Sequence, residues 1–343
     1  MNNILIIGHF YEEGFASHIY ETLNDKHINV YKLDVSFNVN WPLKKKYFTK
    51  FDATIQQLIE KTKYYEINNL NKMLKCIDDK FINLIIVCHD FLTPYQVEYL
   101  KKGRNLKVVL WFPDPIGQIH RGMFMNADYD ILFFKDKYIC QILQNELNLN
   151  AEYLPECCNP KYHRIVKLND KDILKYGCDI TTAGNLPTNR IRLFEQISQH
   201  ENYDIKLWGN KAPHWANINK INLFIKNEFV ANTEKSKAFR AAKIVINNLR
   251  ISEVEGTNVR TFEIAACGGF QLTTYRQGIY DLFNEDELIT YSTFNELIDK
   301  INYYLSRPDE RKIITEKAFT RAQSEHTYDK RLDQMFDIIK KIQ

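Results

Sequence analysis

Short, continuous apolar runs recur along the chain, each closing on glycine or polar residues. NILIIGHF, FINLIIVCHD and LKVVLWFPD are examples from the first half, and CDITTAG, AKIVINNLR and GFQLTTY from the second. Such runs lack the apolar–polar alternation of a half-solvated strand. They suit strands covered on both faces, as in a parallel sheet. Between them lie stretches of helical spacing, among them EEGFASHIYETLND, TPYQVEYLKKG and NRIRLFEQISQH. TPYQVEYLKKG carries proline near its start and glycine just past its end, the expected asymmetry of a helix. Strands alternating with helices predict an α/β fold with crossover helices.

The alternation runs once through the first half, from NILIIGHF to AEYLPE, and restarts at CDITTAG. A chain of 343 residues is too long for one ordinary core and fits two domains of about 150 residues each. The expected organisation is therefore two Rossmann-like halves joined near PECCNPKYHRI. The first spans residues 1–160 and the second 161–320, with a C-terminal helix over 321–343 that packs back on the first. In open α/β sheets ligands bind at the carboxyl ends of the strands. Chemistry is thus expected at Gly8 to Gly14, His89-Asp90, Pro113-Asp114, Gly184 to Arg192, Gly209 and Leu249 to Val259.

A formal net charge of +3 does not point to nucleic acid, and none is expected as a partner. The seven cysteines form no C-x-x-C pair, and several sit inside apolar runs. They read as reduced, buried thiols of a cytoplasmic protein rather than as zinc ligands. The first residues lack a basic region with a long apolar stretch, so no signal peptide is expected. No run reaches the ~18 apolar residues of a spanning helix. WPLKKKYFTKF (Trp41 to Phe51) sets Lys44, Lys45, Lys46 and Lys50 among aromatics. It reads either as a peripheral contact with anionic lipid or as a solvated lysine run with its stems packed on the rings.

The richest stretch is EVEGTNVRTFEIAACGGFQLTTY, Glu253 to Tyr275. Gly256 to Val259 reads as a strand-to-helix turn, with Thr257 or Asn258 as N-cap. Unpaired N–H groups and the helix dipole make that turn a phosphate site, which Arg260 can join with a charged fork. Glu263, one turn into the helix, suits two hydroxyls such as a ribose diol. Glu255 precedes the turn at the cleft. The plain alternative makes Glu255 a solvated loop residue and Glu263 the partner of a lysine. In GHFYEEGF, His9 and Glu12 or Glu13 are either acceptor contacts or solvated loop residues, and the G-x-G-x-x-G dinucleotide fingerprint is absent. Asp128 and Asp130 resemble a metal-binding Asp-x-Asp, but they precede a strand rather than follow one, so no catalytic metal is expected.

The stretch NNLRISEVEGTNVRTFEIAACGGFQLTTY resembles the nucleotide-sugar site of GT-B glycosyltransferases. More narrowly, it resembles the CgeB-type, spore-maturation-like branch of the large retaining family 4 group. That branch carries R-x-F-E-x-x-A-x-G-G-hydrophobic-x-x-T, matched here by Arg260, Phe262, Glu263, Ala266, Gly268, Gly269 and Thr273. The wider group carries two glutamates with seven residues between them, as Glu255 and Glu263 are placed. WFPDP, YLPECCNPKYH, LWGN, DLFNEDELITYSTFNELIDKINYYLSRPDER and HTYDKR add to the likeness, which spans about residues 105–335.

The resemblance implies two Rossmann-like parallel-sheet domains facing across a cleft. It implies a nucleotide-sugar substrate, with no further cofactor. Glu263 would hold the ribose, and Glu255 the donor sugar near its reacting end. Gly184 and Arg190, with Thr257, Asn258, Val259 and Arg260, would face the diphosphate. Asn185 stands where the group often has an arginine. His89 is either a sugar contact or a strand-end hydrogen-bonding residue. Asp114 is either an acceptor-hydroxyl partner or a turn cap, and His120-Arg121 lies just beyond. The implied activity moves a sugar, UDP-linked by family frequency, to a hydroxyl of a glycan or lipid-linked acceptor. Retention of configuration and a role in cell-surface polysaccharide assembly are also implied. The rivals are a GT-B-shaped module that only binds its nucleotide or glycan, and a sugar-nucleotide epimerase. A dehydrogenase fits least, without the glycine fingerprint.

Overall fold

A computed structural model describes residues 3–35, 62–119 and 121–342. Lys44, Lys45, Lys46, Lys50 and His120 lie outside the described residues. The chain divides into two compact units. Unit 1 comprises residues 1–114, 118–134 and 139–154, and unit 2 comprises 115–117, 135–138 and 155–343.

Unit 1 holds a parallel six-stranded sheet. Its strands are β1 (Asn3–Gly8), β2 (Asn29–Asp34), β3 (Leu84–Cys88), β4 (Lys107–Phe112), β5 (Ile131–Phe134) and β6 (Ala151–Tyr153), in the order β2-β1-β3-β4-β5-β6. Helices α1 (Phe15–Asp25), α2 (Lys63–Lys80), α3 (Pro94–Lys101) and α4 (Lys137–Leu147) connect them. Every residue of β3 is buried, whereas the edge strand β2 is partly exposed along its length, as its mixed sequence NVYKLD requires. Leu5 and Ile7, Ile85 and Val87, and Val108 and Leu110 share one face. They pack with Leu70, Met73 and Ile77 of α2 and Val97 and Leu100 of α3. α3 begins at a full capping box. The Thr93 side chain takes the Gln96 N–H and Gln96 returns to the Thr93 N–H, with Pro94 in the first turn. Asp128 and Asp130 are engaged where β5 begins. Asp128 meets Lys101 at 2.9 Å, and Asp130 accepts the Val108 N–H at 2.7 Å.

Unit 2 holds a parallel five-stranded sheet, ordered β11-β10-β9-β7-β8. The strands are β7 (Cys178–Ala183), β8 (Ile205–Trp208), β9 (Ala242–Asn247), β10 (Gln271–Thr274) and β11 (Ile289–Tyr291). The helices are α5 (Asp170–Tyr176), α6 (Thr188–His200), α7 (Asn232–Ala241), α8 (Val259–Ala266), α9 (Phe294–Leu305), α10 (Pro308–Glu325) and α11 (Tyr328–Lys340). Alternate residues of one strand serve opposite faces. Ile244 and Ile246 pack with Phe194 of α6 and Leu297 of α9, while Val245 packs with Phe239 of α7 and Ile264 of α8. The short helix α5, which the hydrophobic pattern does not announce, is started by a capping box between Asn169 and Asp172. All described cysteines are free thiols, and burial pushes Cys178 up to about 12. Among the described residues no helix is long and apolar enough to cross a membrane.

Both sheets reverse their winding beside the first strand laid down. In unit 1 the reversal lies between β1 and β3, and in unit 2 between β7 and β9. A crevice forms at the carboxyl ends of such neighbouring strands.

The helix α8 is held from beneath by the α10–α11 junction. The His326 ring lies 5.3 Å from Phe262 and 5.0 Å from Phe283, centroid to centroid. Its Nδ1 faces Arg331 Nη2 at 2.7 Å and its Nε2 faces the Leu282 carbonyl at 2.7 Å. An arginine can only donate, so Nδ1 accepts and Nε2–H donates to Leu282. Burial, reinforced by Arg331, pushes the His326 pKa down to about 4. The unfolded chain therefore takes up this proton first. The stabilisation is complete above about pH 6.5 and is lost as pH falls to about 4. It amounts to about 3 kcal/mol. Urea unfolding at pH 7 and pH 4 should show this loss in the wild type. His326→Gln should show a pH-dependent loss smaller by about that amount.

Candidate functional site

In unit 2 the residues singled out from the sequence gather around the ends of β7 and β9 and the start of α8. Gly184 ends β7 with φ +119°, a conformation that favours glycine. A Cβ there would lie 3.6 Å from Arg260 Nε and 3.7 Å from Arg190 Nη1. A Cβ on Gly209, at the end of β8, would lie 2.1 Å from the Gly184 carbonyl oxygen, so the two loops meet backbone to backbone. Arg190, on α6, is buried. Its Nε donates to Asn248 Oδ1 at 2.7 Å and its Nη1 to the Asn185 carbonyl at 2.5 Å. Asn185 thus offers a backbone acceptor that turns the Arg190 guanidinium toward Gly184.

The Arg260 side chain makes no hydrogen bond among the described residues, and its buried Nη1 has no partner. Burial pushes the pKa of Arg190 well down, and Arg260 and Arg250 push it further. Burial also lowers that of Arg260, against the opposing pull of Glu263. Arg190, Arg250 and Arg260 form no salt bridge among the described residues. Buried guanidiniums that lack a salt-bridge partner are costly, and an anion between them lowers the cost.

The turn into α8 is built by side-chain amides. Asn258 is the N-cap and accepts the Thr261 N–H at 3.2 Å. The amide of Asn247, last residue of β9, pairs reciprocally with that of Asn258 at 3.1 and 3.2 Å. Asn247 also donates to Thr261 Oγ1, which bonds the buried Thr257 hydroxyl. The N–H groups of Val259 and Arg260 meet no acceptor among the described residues. They are the open donors of the first turn. The Gly256 N–H is not one of them, since it goes to Asp136.

Glu263 is buried. Its Oε1 meets Lys235 Nζ at 3.1 Å and His163 Nε2 at 3.5 Å, while Oε2 has no partner among the described residues. His163 Nδ1 accepts the Asn159 N–H at 3.1 Å, which leaves its proton on Nε2, toward Glu263. One oxygen is fixed and the other is open. The Glu255 side chain is half-buried and forms no hydrogen bond or salt bridge among the described residues. Two residues earlier in the loop, Glu253 belongs to a buried triad. Lys135 Nζ is 2.8 Å from Glu253 Oε1 and 3.2 Å from Glu156 Oε2.

In unit 1 the crevice between β1 and β3 opens into a cavity of about 560 Å³, lined by His9, Asp34, Glu66, His89, Gln96 and Arg121 among others. His89 has φ +92°, a strained conformation for a side chain other than glycine. Its Nε2 lies 3.7 Å from Asp114 Oδ2, and its ring packs against Phe91 and Phe112. Burial lowers its pKa despite Asp114 and Asp90, so the ring is neutral near pH 7. Asp90 is a cap, its two oxygens taking the N–H groups of Met123 and Phe124 at 2.9 and 3.0 Å. Among the described residues no group of three or more His, Cys, Asp or Glu could hold a metal ion.

Sequence reasoning passed over Asp136, Lys135, His163, Lys235 and Asn247. Lysine, aspartate and asparagine at these places carry no local pattern. Only Asn247 had a usable signal, as the polar residue that ends the apolar run AKIVIN.

Residues 190–337 match the family model described as glycosyl transferase-like. The chain is 25% identical over 250 residues to the spore protein CgeB of Bacillus subtilis (strain 168), covering 66% of this chain and 71% of that protein. Among solved structures it resembles sucrose-phosphate synthase from Thermosynechococcus elongatus. The TM-score is 0.68 at 13% identity, over 100% of this chain and 99% of that one. It also resembles Anabaena Alr3699/HepE in complex with UDP-glucose, with TM-score 0.64 and 11% identity over 99% of each chain. These likenesses establish the fold as GT-B, with two Rossmann-like parallel-sheet units.

The Lys135 triad generates a stability prediction. Lys135→Met leaves Glu156 and Glu253 buried without their shared cation, and removing one partner of a buried pair costs about 3–5 kcal/mol. Urea unfolding of the variant should show that loss.

Proposed function

We propose that the protein is a glycosyltransferase that moves a sugar from a nucleoside diphosphate, UDP in our reading, to an acceptor hydroxyl. The observation that carries this is the pair of arginines that form no salt bridge among the described residues, Arg190 and Arg260 beside Gly184, next to the open N–H groups of α8. A sugar diphosphate supplies the missing anion. The match of residues 190–337 to glycosyl transferase-like proteins supports the reading, as does the likeness to a protein solved with UDP-glucose.

In this reading the open oxygen of Glu263 accepts from the ribose hydroxyls, and Glu255 meets the donor sugar. The bond between the anomeric carbon and the β-phosphate oxygen breaks, and its electron pair stays on the phosphate. Arg190, Arg260 and the first amides of α8 stabilise that charge as it develops. The acceptor oxygen bonds to the anomeric carbon on the face the phosphate leaves, so configuration is retained. Its proton passes to the departing phosphate oxygen, and UDP is the second product. Fixed guanidiniums take the charge, so the scheme needs no metal. In this reading, within unit 1, His89 is a sugar contact and Asp114 an acceptor-hydroxyl partner. The acceptor is a glycan or a lipid-linked sugar, and the setting is cell-surface polysaccharide assembly.

A second reading, a module that binds the nucleotide without turnover, is favoured by Asn185 in place of an arginine. Release of UDP from a UDP-sugar separates the two.

The nucleotide claim is tested by thermal shift with UDP, GDP, ADP, CMP and dTDP. UDP at 100 times its Kd should stabilise the protein by about 2.7 kcal/mol. Arg260→Ala should weaken UDP binding roughly 10- to 100-fold, the loss of a charge-assisted hydrogen bond. If no nucleotide raises the melting temperature, the reading fails.

A further inference from the structure

We propose that Asp136 is a positioning residue that fixes Glu255 for the donor sugar by clamping the backbone on which Glu255 sits. The proposal rests on the glycosyltransferase reading above and adds to it a residue outside the matched stretch. Asp136 lies just after β5, in the segment Lys135–Tyr138, which belongs to unit 2. It is buried. Its Oδ2 accepts two consecutive amides, those of Glu255 at 2.9 Å and Gly256 at 3.0 Å. Its Oδ1 accepts the Tyr138 N–H at 3.0 Å, capping the start of α4.

A helix cap needs one oxygen. The other is committed to a loop 119 residues away in sequence. Two amides converging on one carboxylate oxygen leave the peptide between them little freedom, since charge-assisted bonds of this kind are short and strong.

The loop is gripped from the other side as well. The Gly278 N–H donates to the Glu255 carbonyl at 2.9 Å, and a Cβ on Gly278 would stand 2.6 Å from that oxygen. One step back, the Glu253 carboxylate meets Lys135 and its carbonyl accepts Arg276 Nε at 2.6 Å. Both backbone polar groups of Glu255 are thus engaged, while its carboxylate meets no partner among the described residues. A loop that served stability alone has no need to present an unpartnered carboxylate from so constrained a backbone. The arrangement suits a group that must meet its substrate without reorganising.

The test uses the full chain, with UDP and three UDP-sugars as probes: UDP-glucose, UDP-galactose and UDP-N-acetylglucosamine. Amide hydrogen exchange over 253–257, UDP affinity by calorimetry, UDP-sugar affinity and release of UDP from the sugars are measured together. Asp136→Ala should speed exchange at Glu255 and Gly256 at least about 10-fold, as the bonds that protect them are lost. It should leave UDP affinity within about 2-fold of wild type, because it touches no nucleotide-facing group. UDP release should fall about 100-fold, and the preference for UDP-sugar over UDP should shrink. Asp136→Asn keeps an acceptor oxygen and should recover most of the loss. Gly278→Ala, which pushes on the Glu255 carbonyl from the opposite side, should repeat the kinetic defect, and it carries the test if Asp136→Ala does not fold. Unchanged exchange at 255–256, or UDP release and sugar preference equal to wild type in both Asp136→Ala and Gly278→Ala, overturns the proposal. So does a parallel loss of UDP affinity and release, which marks a general structural role. A wild type that binds no UDP overturns the glycosyltransferase reading and the catalytic purpose of the clamp with it. The exchange data then still show whether Asp136 holds the loop.

Discussion

Parallel strands cannot be joined by a tight turn, and this constraint organises both units. Each strand must be followed by a crossover connection before the next can lie beside it, most often an α-helix here, although β4 to β5 and β10 to β11 cross through 3-10 turns. The helices cover both faces of the sheet, which is why β3 is buried along its whole length. The connections that lead out of the strands all gather at one edge. Where the winding reverses, between β1 and β3 and between β7 and β9, neighbouring connections diverge and leave a crevice. His9 and His89 stand at the first crevice, and Gly184 and Asn248 at the second. The polar chemistry of the molecule is where it is because the apolar strands allow it nowhere else.

Within unit 2 the electrostatics divide into two kinds of site. Lys135 is shared by two carboxylates, and Lys235 is paired with Glu263. These are closed arrangements that fix side chains and loops. Arg190, Arg250 and Arg260 are an open one, a set of cations that form no salt bridge among the described residues, with Glu263 acting on Arg260 only from a distance. Lysine, a compact charge, serves the buried pairs. Arg190 and Arg260 carry the planar fork that matches phosphate geometry, and they are the cations without a salt-bridge partner among the described residues. The closed sites hold the open one in shape. Glu263 keeps one oxygen on Lys235 and leaves the other open, and Asp136 fixes the loop that carries Glu255.

Much of the fold was legible in the chain because burial writes itself into local sequence. The runs NILIIG, LIIVC and AKIVIN are strands where their apolar continuity places them. TPYQVEYLKKG forms its helix from the capping threonine onward. The helix α5 went unread, since a short, largely polar helix started by an Asn–Asp box has no hydrophobic period to give it away. The candidate site was legible in part. Gly184, Arg190, Asn258, Arg260 and Glu263 stood out, because turn chemistry and a family pattern mark them. Their partners did not. Lys235, His163 and Asp136 approach from other parts of the chain, and no spacing rule connects Asp136 with Gly256.

The sequence by itself determined the two parallel sheets, their crossover helices and the edge at which polar residues collect. Those features depend on periodicity and burial, which are local properties of a chain. Tertiary structure alone decided which charges are neutralised and which are left open. Glu253 and Glu255 are neighbours of the same type in one short loop. One is buried against Lys135, and the other is presented on a clamped backbone with its carboxylate open. Charge interactions and hydrogen bonds act through space over a few ångströms, between residues that the chain brings together only when it folds.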